Sequence, residues 1–399
     1  MSSSDAARSA SLGSTRPLCG SDDEPCDIQD GVSSTSALRH VFVGGYTAEA
    51  DGHAVGVTSL LNEKSAKRVR LDAVSTMELS SPTWLARHPT LPVLLTTEET
   101  NPGRLNSLRW DPDGSLTLLS TVPTAGDGGC HVAISDDGRF AIVSSYSSGV
   151  LSVIEIAPNG TLSEVVDSRQ LTGTGPVADR QEGPHAHQVV FVGDEVLCCE
   201  LGGDQIYRLR LDPSGALIPA GDPIRLPAGS GPRHLVVVEG HLVVACELSA
   251  ELWLIAPDAT DWRPVSGVST SHRDGLVQPS GTAAGGTRIY VANRGVDTIG
   301  VFDLDPAVSE LTPVAEFDCG GAWPRDITLD GGLLWVSNQN SDSITLFEVS
   351  PMPPAGPVAE LELPSPTGVV LVHDESPGNG GRTDEGAAED TEAAERSDA

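Results

Sequence analysis

Residues that could do chemistry recur at two positions along the chain, where a short apolar strand begins and where the next strand ends. Guanidinium groups bind phosphate or carboxylate through paired N–H donors, and carboxylates or imidazoles beside them can act as general bases. At strand starts stand Trp84, Cys130, His131, His185, His187, Arg233, His234, Arg325 and Asp326. At strand ends stand Tyr46, Glu98, Tyr146, Glu200, Glu247, Arg294 and Gln339. If the fold brings these positions together, they form an anion-binding pocket.

A sequence repeat predicts how they are positioned. A small residue or proline, one special residue and a short apolar strand recur seven times, with Trp84, His131, His187, His234, Gly281, Asp326 and Gly368 in the equivalent slot. The steps between these slots are 47, 56, 47, 47, 45 and 42 residues. Turn residues and further strands follow most copies, with DPDG, APNG and DPSG as hairpin turns. Repeats of this size with four antiparallel strands are typical of propeller blades, so the sequence predicts an all-β fold, a seven-bladed β-propeller.

The two ends of the folded region are predicted to share one blade. The seventh copy, residues 366–372, has no second strand after it, whereas residues 40–47 near the N-terminus form a strand without a preceding copy. Pairing these two segments closes the ring and removes a free sheet edge. The predicted propeller therefore spans 39–373. Residues 1–38 are expected to form a disordered leader and 374–399 an acidic disordered tail, because both lack the apolar residues needed for a core.

In a propeller, strand starts and strand ends of this kind meet at one mouth of the central channel. The segments GPHAH (183–187), GPRH (231–234) and WPRD (323–326), with the strand ends CEL, ANR and SNQNSDSI and the opening VFVGGYT, resemble the lactonase family of seven-bladed propellers. That family contains cycloisomerase-type 6-phosphogluconolactonases and fungal carboxymuconate-lactonising enzymes. The resemblance covers about residues 39–373 and implies catalytic roles for His187, Arg233, Glu247 and Arg294.

The resemblance implies metal-free and cofactor-free hydrolysis of 6-phosphogluconolactone or a related sugar lactone. Glu247 or His187 would activate water, while Arg233 and Arg294 would hold the anion and stabilise the oxyanion. Arg325 is expected to pair with Asp326 at a seam between blades, and also to contact substrate. The other predicted substrate contacts are His185, His131, Glu200 and Tyr146. Two alternatives stay open: a carboxymuconate-type lactonising enzyme, and a binding propeller without catalysis.

Composition limits the partners. A net charge of −32 argues against binding nucleic acid, which is held through neutralising lysines and arginines. The sequence contains no apolar stretch long enough to cross a membrane and no recognisable secretion signal, and its seven cysteines show no zinc-binding spacing. A cytoplasmic protein with reduced thiols is expected, acting on a small anionic lactone or sugar phosphate. The oligomeric state is left open, with a monomer favoured.

Overall fold

The computed structural model describes residues 38–62, 71–259 and 261–373. The predicted disordered leader and acidic tail lie outside these residues, apart from Leu38, which begins the first strand. No helix in the described ranges is long and apolar enough to cross a membrane.

The described residues form seven antiparallel sheets, as the repeat predicts. Strands β1 to β11 are Leu38–Gly45, Gly56–Asn62, Leu71–Glu78, Trp84–Arg87, Val93–Glu98, Arg104–Trp110, Leu116–Pro123, Gly129–Ile134, Phe140–Ser145, Val150–Ile156 and Leu162–Gln170. Strands β12 to β20 are Ala186–Val192, Glu195–Glu200, Gln205–Leu211, Leu217–Pro219, Ile224–Arg225, Pro232–Val238, His241–Cys246, Glu251–Asp258 and Asp261–Ser269. Strands β21 to β29 are Val277–Gly285, Arg288–Gly295, Thr298–Asp305, Glu310–Asp318, Pro324–Asp330, Leu333–Asn338, Ser343–Glu348, Ala359–Glu362 and Pro366–His373.

Each sheet is one blade, and the blades close into a ring. Six blades use strands in chain order, from β4–β7 to β25–β28. In the blade that begins with β12, the fourth strand is split into β15 and β16, both of which pair with β14. The interruption contains Asp222-Pro223, and proline cannot donate to a strand ladder. Neighbouring inner strands contact one another around the whole ring, so they line the channel.

The seventh blade joins the two ends of the fold. Its strand order is β29-β1-β2-β3, and β29 pairs antiparallel with β1, with His40 opposite Val372 and Gly45 opposite Pro366. The prediction that residues 366–372 supply the missing inner strand is therefore confirmed. This pairing places Gly368 in the same ring as the other six slot residues.

The hydrophobic core lies between blades rather than within one of them. One cluster joins Ile142 and Leu151 of one blade to Val189 and Val196 of the next. Because both faces of a middle strand are covered, β9 is buried along its whole length. Burial on both faces explains why the second strands read as nearly continuous apolar runs and not as alternating patterns.

Irregular pairing at the start of the inner strands determines where the polar residues point. The register between first and second strand shifts between Gly129 and His131, between Pro232 and His234, and between Pro324 and Asp326. A bulge of this kind inserts one residue and redirects the side chains beside it. Cys130, Arg233 and Arg325 are the inserted residues, so the repeat delivers their side chains to one end of the ring.

Candidate active site

Glu247 lies at the centre of an arginine cluster at the mouth of the channel. It follows β18, and its Oε2 is 3.1 Å from Nε of Arg233 and 2.7 Å from Nη2 of Arg294. All three side chains are buried. The sequence predicted that these residues converge, and their contacts agree with that prediction.

A third arginine, which the repeat does not predict, completes the cluster. Arg180 lies in the connection between β11 and β12, and its Nη2 is 2.5 Å from Oε1 of Glu247. The same nitrogen donates to the hydroxyl of Tyr146 at 3.2 Å. Arg180 occupies no repeat slot, but its loop falls in the 56-residue step, the longest of the six. That extra length was the available signal for it.

Electrostatics makes Glu247 a fixed anion. Burial alone would raise the pKa of Glu247, but Arg294, Arg233 and Arg180 outweigh it and lower the pKa to about 2. Glu247 is therefore ionised at neutral pH and a weak proton acceptor. In return, Glu247 opposes the effect of burial on Arg180 and raises the pKa of that guanidinium.

The arginines keep hydrogen-bonding capacity that the protein does not use. Nη1 of Arg233 has no acceptor among the described residues. Nε of Arg233 and Nη2 of Arg294 lie close to Glu247 but without hydrogen-bond geometry. Burial and the charge of Arg294 lower the pKa of Arg233 to about 9, which leaves it charged at neutral pH. Buried, charged donors without acceptors indicate a site for an anion.

Arg325 does not pair with Asp326, so that prediction is wrong. The bulge directs Arg325 towards Tyr46, whose hydroxyl it contacts through Nη2, and its guanidinium lies 4.7 Å from the ring centre. Its other partner is Glu99, at 3.6 Å. Consecutive side chains around the bulge diverge, which leaves Asp326 without an ion pair among the described residues. The mouth therefore holds a fourth arginine.

Imidazole and indole rings pack together at the slot level of the channel. His131 lies 4.3 Å from Trp84, and His234 lies 5.1 Å from His187 and 5.3 Å from Trp84, measured between ring centres. Burial and Arg233 lower the pKa of His131 to about 3 and hold the pKa of His187 and His234 well below the usual value. These rings are neutral at pH 7. Nδ1 of His187 has no partner among the described residues.

His185 and Tyr146 form one wall of the mouth. Their rings stack at 4.5 Å, and Nδ1 of His185 lies 3.0 Å from the Tyr146 carbonyl oxygen. Tyr146 also contacts His187 edge to face at 5.8 Å. Since Tyr146 in turn accepts from Arg180, this wall connects the loop arginine to the imidazole ring of His187.

Glu200 has a structural set of partners. Its carboxylate accepts from the backbone N–H of His185 at 2.9 Å, from the N–H of Gly203 and from the side chain of Gln205. Burial outweighs these bonds and raises its pKa. Its contacts give no support to the expectation that Glu200 binds substrate; it fixes the backbone that carries His185.

A buried carboxylate holds the loop of Arg180 in place. Asp204 accepts from Gln181 Nε2 at 2.7 Å and from the backbone N–H of Gly231 at 2.7 Å. Gln181 is the neighbour of Arg180, and Gly231 begins the turn into Arg233. One side chain therefore aligns two arginines, one from a loop between blades and one from β17.

An open cavity of about 1140 Å³ adjoins this mouth and shares Tyr46 and Glu99 with the partners of Arg325. A smaller cavity of about 560 Å³ lies between Ile224 and Trp262 and includes none of the predicted site residues. Within the described residues, no group of three histidine, cysteine or acidic side chains is arranged to hold a metal ion.

Fold and site together define a seven-bladed propeller with three arginines gathered around a buried glutamate at one channel mouth. The family model described as "Lactonase, 7-bladed beta-propeller" matches residues 40–370. The chain belongs to this family.

Individual relatives agree with that membership. The chain is 31% identical over 321 residues to a 6-phosphogluconolactonase of Bacillus subtilis, with 77% of this chain and 90% of the relative covered. It is 26% identical over 332 residues to a 6-phosphogluconolactonase of Formosa agariphila, with 77% and 91% covered. Among solved structures, the periplasmic gluconolactonase of Pseudomonas aeruginosa superposes with a TM-score of 0.77 at 26% identity, covering 84% of this chain and 99% of that one.

Proposed function

We propose that this protein is a lactone hydrolase whose substrate is 6-phosphogluconolactone or a closely related phosphorylated sugar lactone. The observation that carries the proposal is the charge balance of the mouth. Arg180, Arg233 and Arg294 converge on Glu247, and Arg325 faces Glu99. The positive charge of these four guanidinium groups exceeds the negative charge of their two ion-pair partners, and a phosphate group would offset the difference.

The names of two relatives support the same substrate class, since both are 6-phosphogluconolactonases. The overall charge of −32 makes a chance accumulation of buried arginines at one mouth hard to explain by composition. Against that negative field, the cluster supplies a local positive potential that attracts an anionic substrate.

The arginines would serve both binding and chemistry. A guanidinium that holds the phosphate positions the lactone ring, and a second one aimed at the carbonyl oxygen stabilises the charge that develops when water attacks. One such donor is worth about 3–4 kcal/mol in the transition state. Glu247 fixes the orientation of these donors through ion pairs. In this proposal no step requires a metal or an organic cofactor, and the enzyme acts in the cytoplasm.

A substrate panel tests the proposal. Purified protein is assayed with 6-phosphogluconolactone, unphosphorylated gluconolactone and a carboxymuconate-type acid, and hydrolysis without enzyme is subtracted. We expect kcat/KM to be at least tenfold higher with the phosphorylated lactone. Equal values for both lactones would overturn the phosphate assignment, and turnover of the muconate-type acid alone would replace hydrolysis by lactonisation.

A further inference from the structure

Asp326 is the one acidic side chain among the seven slot residues of the channel. Four of the slots hold Trp84, His131, His187 and His234, whose rings pack together. The other three hold Gly281, Asp326 and Gly368, which lie on neighbouring inner strands β21, β25 and β29. One side of the channel is therefore filled by rings, whereas the other carries a single carboxyl group between two glycines.

The carboxyl group occupies space that a side chain at Gly281 would fill. A Cβ at Gly281 would lie 2.5 Å from Oδ1 of Asp326, and a Cβ at Gly368 would lie 3.9 Å from Oδ2. Asp326 is buried and has no ion pair among the described residues. A buried carboxyl group without a cation carries a cost to folding, which is a reason to seek a function for it.

The groups around Asp326 are few. Beside it, β21 contributes Ser280 and Gly281, and β29 contributes Thr367 and Gly368, none of which titrates. The charges that act on it are those of Arg233, on β17, and Arg325, its neighbour on β25. The imidazoles of His131, His187 and His234 share its level.

We propose that Asp326 is the general base that removes a proton from the attacking water in this enzyme. The proposal rests on the proposed lactone hydrolysis. Arg233 and Arg325, which act on Asp326, belong to the group of arginines assigned to the substrate, so Asp326 and a lactone held at the mouth would share the same guanidinium groups. Glu247 is engaged by three guanidinium groups, whereas the carboxylate of Asp326 is not committed to any cation.

The reaction balances with this one residue. As the water oxygen bonds to the carbonyl carbon, one water proton moves to the Asp326 carboxylate and the carbonyl oxygen becomes an oxyanion beside an arginine. When the carbon–ring oxygen bond breaks, the proton moves from Asp326 to the departing ring oxygen. The product is the open-chain hydroxy acid, which releases its acidic proton to solvent.

The pKa of Asp326 suits a general base. Burial raises the pKa of Asp326 to about 7, against the smaller lowering effects of the backbone N–H of Ile327, which donates to the carboxylate, and of Arg233 and Arg325. A base with a pKa near the working pH combines a useful ionised fraction with a strong pull on the proton. His131, by comparison, has a pKa lowered to about 3.

The decisive experiment is the pH dependence of kcat in three proteins. In the wild type, log kcat is expected to rise with unit slope to a plateau above about pH 7. Asp326→Asn should lower kcat by at least a hundredfold and leave KM within a few-fold. It should also abolish the rise of log kcat with pH, which is the acidic limb of the profile. Asp330→Asn, on the same strand, is the matched control and should behave like the wild type.

A second variant keeps the inference testable if Asp326→Asn folds poorly. In Gly368→Ala the new methyl group lies 3.5 Å from the Thr83 carbonyl oxygen and 3.9 Å from Asp326, which are ordinary contacts. It removes water from the carboxyl group and should shift the limb to higher pH by several tenths of a unit. A structural role alone would not move the limb.

The outcomes separate the two proposals. An active wild type with an unchanged limb in both variants overturns the role of Asp326 and leaves lactone hydrolysis intact. If the pH-dependent rise of log kcat is lost in His187→Gln but retained in Asp326→Asn, the base is His187. That result also overturns the proposed role of Asp326. A wild type inactive on every lactone overturns the proposed function, and the role of Asp326 falls with it.

Discussion

Arg180 and Glu247 are 67 residues apart in the chain, and their side chains meet at 2.5 Å. The arginine comes from an irregular loop and the glutamate from the end of a middle strand. The contact therefore joins a loop outside the sequence repeat to Glu247, which the repeat places at the centre of the site.

Arg180→Ala should weaken substrate binding selectively. Removing one guanidinium from the cluster lowers its positive charge, so we expect KM for 6-phosphogluconolactone to rise by roughly tenfold, the equivalent of about 1.4 kcal/mol, with a much smaller change for unphosphorylated gluconolactone. Steady-state kinetics with both lactones measures the difference. Arg109→Ala, which removes an exposed arginine paired with Asp111, is the control. An equal rise for both lactones would contradict a role in phosphate binding.

Glu247→Gln should destabilise the protein through its arginines. The glutamine cannot neutralise Arg180, Arg233 and Arg294, and breaking a buried ion pair costs about 3–5 kcal/mol. Thermal unfolding should show a Tm several degrees lower. Inorganic phosphate should restore Tm more in the variant than in the wild type, because the added anion replaces the lost charge. A rescue of equal size in both proteins would show that phosphate binds elsewhere.

The contribution of Glu247 and its arginines to stability should decrease at low pH. The pKa of Glu247 is about 2 in the folded protein, below the ordinary value of 4.5. Its contribution to stability is therefore present above pH 4.5 and lost as the pH falls towards 2. The free energy that separates wild type from Glu247→Gln should shrink over this window when it is measured by urea unfolding.

The carboxyl group of Asp326 should affect the pH dependence of stability in the opposite direction to Glu247. The folded-state pKa of Asp326, about 7, lies above the ordinary 3.8, so the folded protein holds a proton that the unfolded chain releases. Wild-type stability from this group falls between pH 4 and 7, by up to about 1.4 kcal/mol per pH unit. The Asp326→Asn variant lacks this loss. We expect its stability relative to wild type to increase across that range in urea titrations.

Asp204→Asn tests how Arg180 is positioned. The carboxylate of Asp204 accepts from Gln181, Gly229 and Gly231, and an amide would set N–H groups against these donors. The single variant should raise KM for the phosphorylated lactone without lowering kcat. Its effect should be smaller when Arg180→Ala is already present, because only the part that acts through Gly231 and Arg233 then remains, and a double-mutant cycle measures the difference. Additive effects in that cycle would contradict a positioning role.

The sequence predicts the ring and most of the site because both follow from the repeat. The slot spacing gives the blade number, and matched slots in successive blades bring Arg233, Glu247 and Arg294 together. The orphan seventh copy predicts the pairing of β29 with β1. In these cases a local pattern determines the global position.

The sequence did not predict one residue outside the repeat and the contacts of three residues within it. Arg180 lies in a loop, and no periodicity reports where a loop side chain points. Adjacent residues in a strand were expected to pair in the case of Arg325 and Asp326, but the bulge separates them. Glu200 shares a strand-end position with Glu247, yet the nearby N–H groups of His185 and Gly203 turn it into a backbone anchor.

The shared blade has a consequence for how the protein is made. His53 donates its backbone N–H to Ser365 across 312 residues, at the turn that leads into β29. A ribosome releases β1 early and β29 late, so the other six blades can form while the seventh still lacks its inner strand. Throughout that interval β1 has an unpaired edge that another nascent chain could occupy. Loss of residues 366–373 should therefore yield chains that associate with one another rather than closed rings of lower activity.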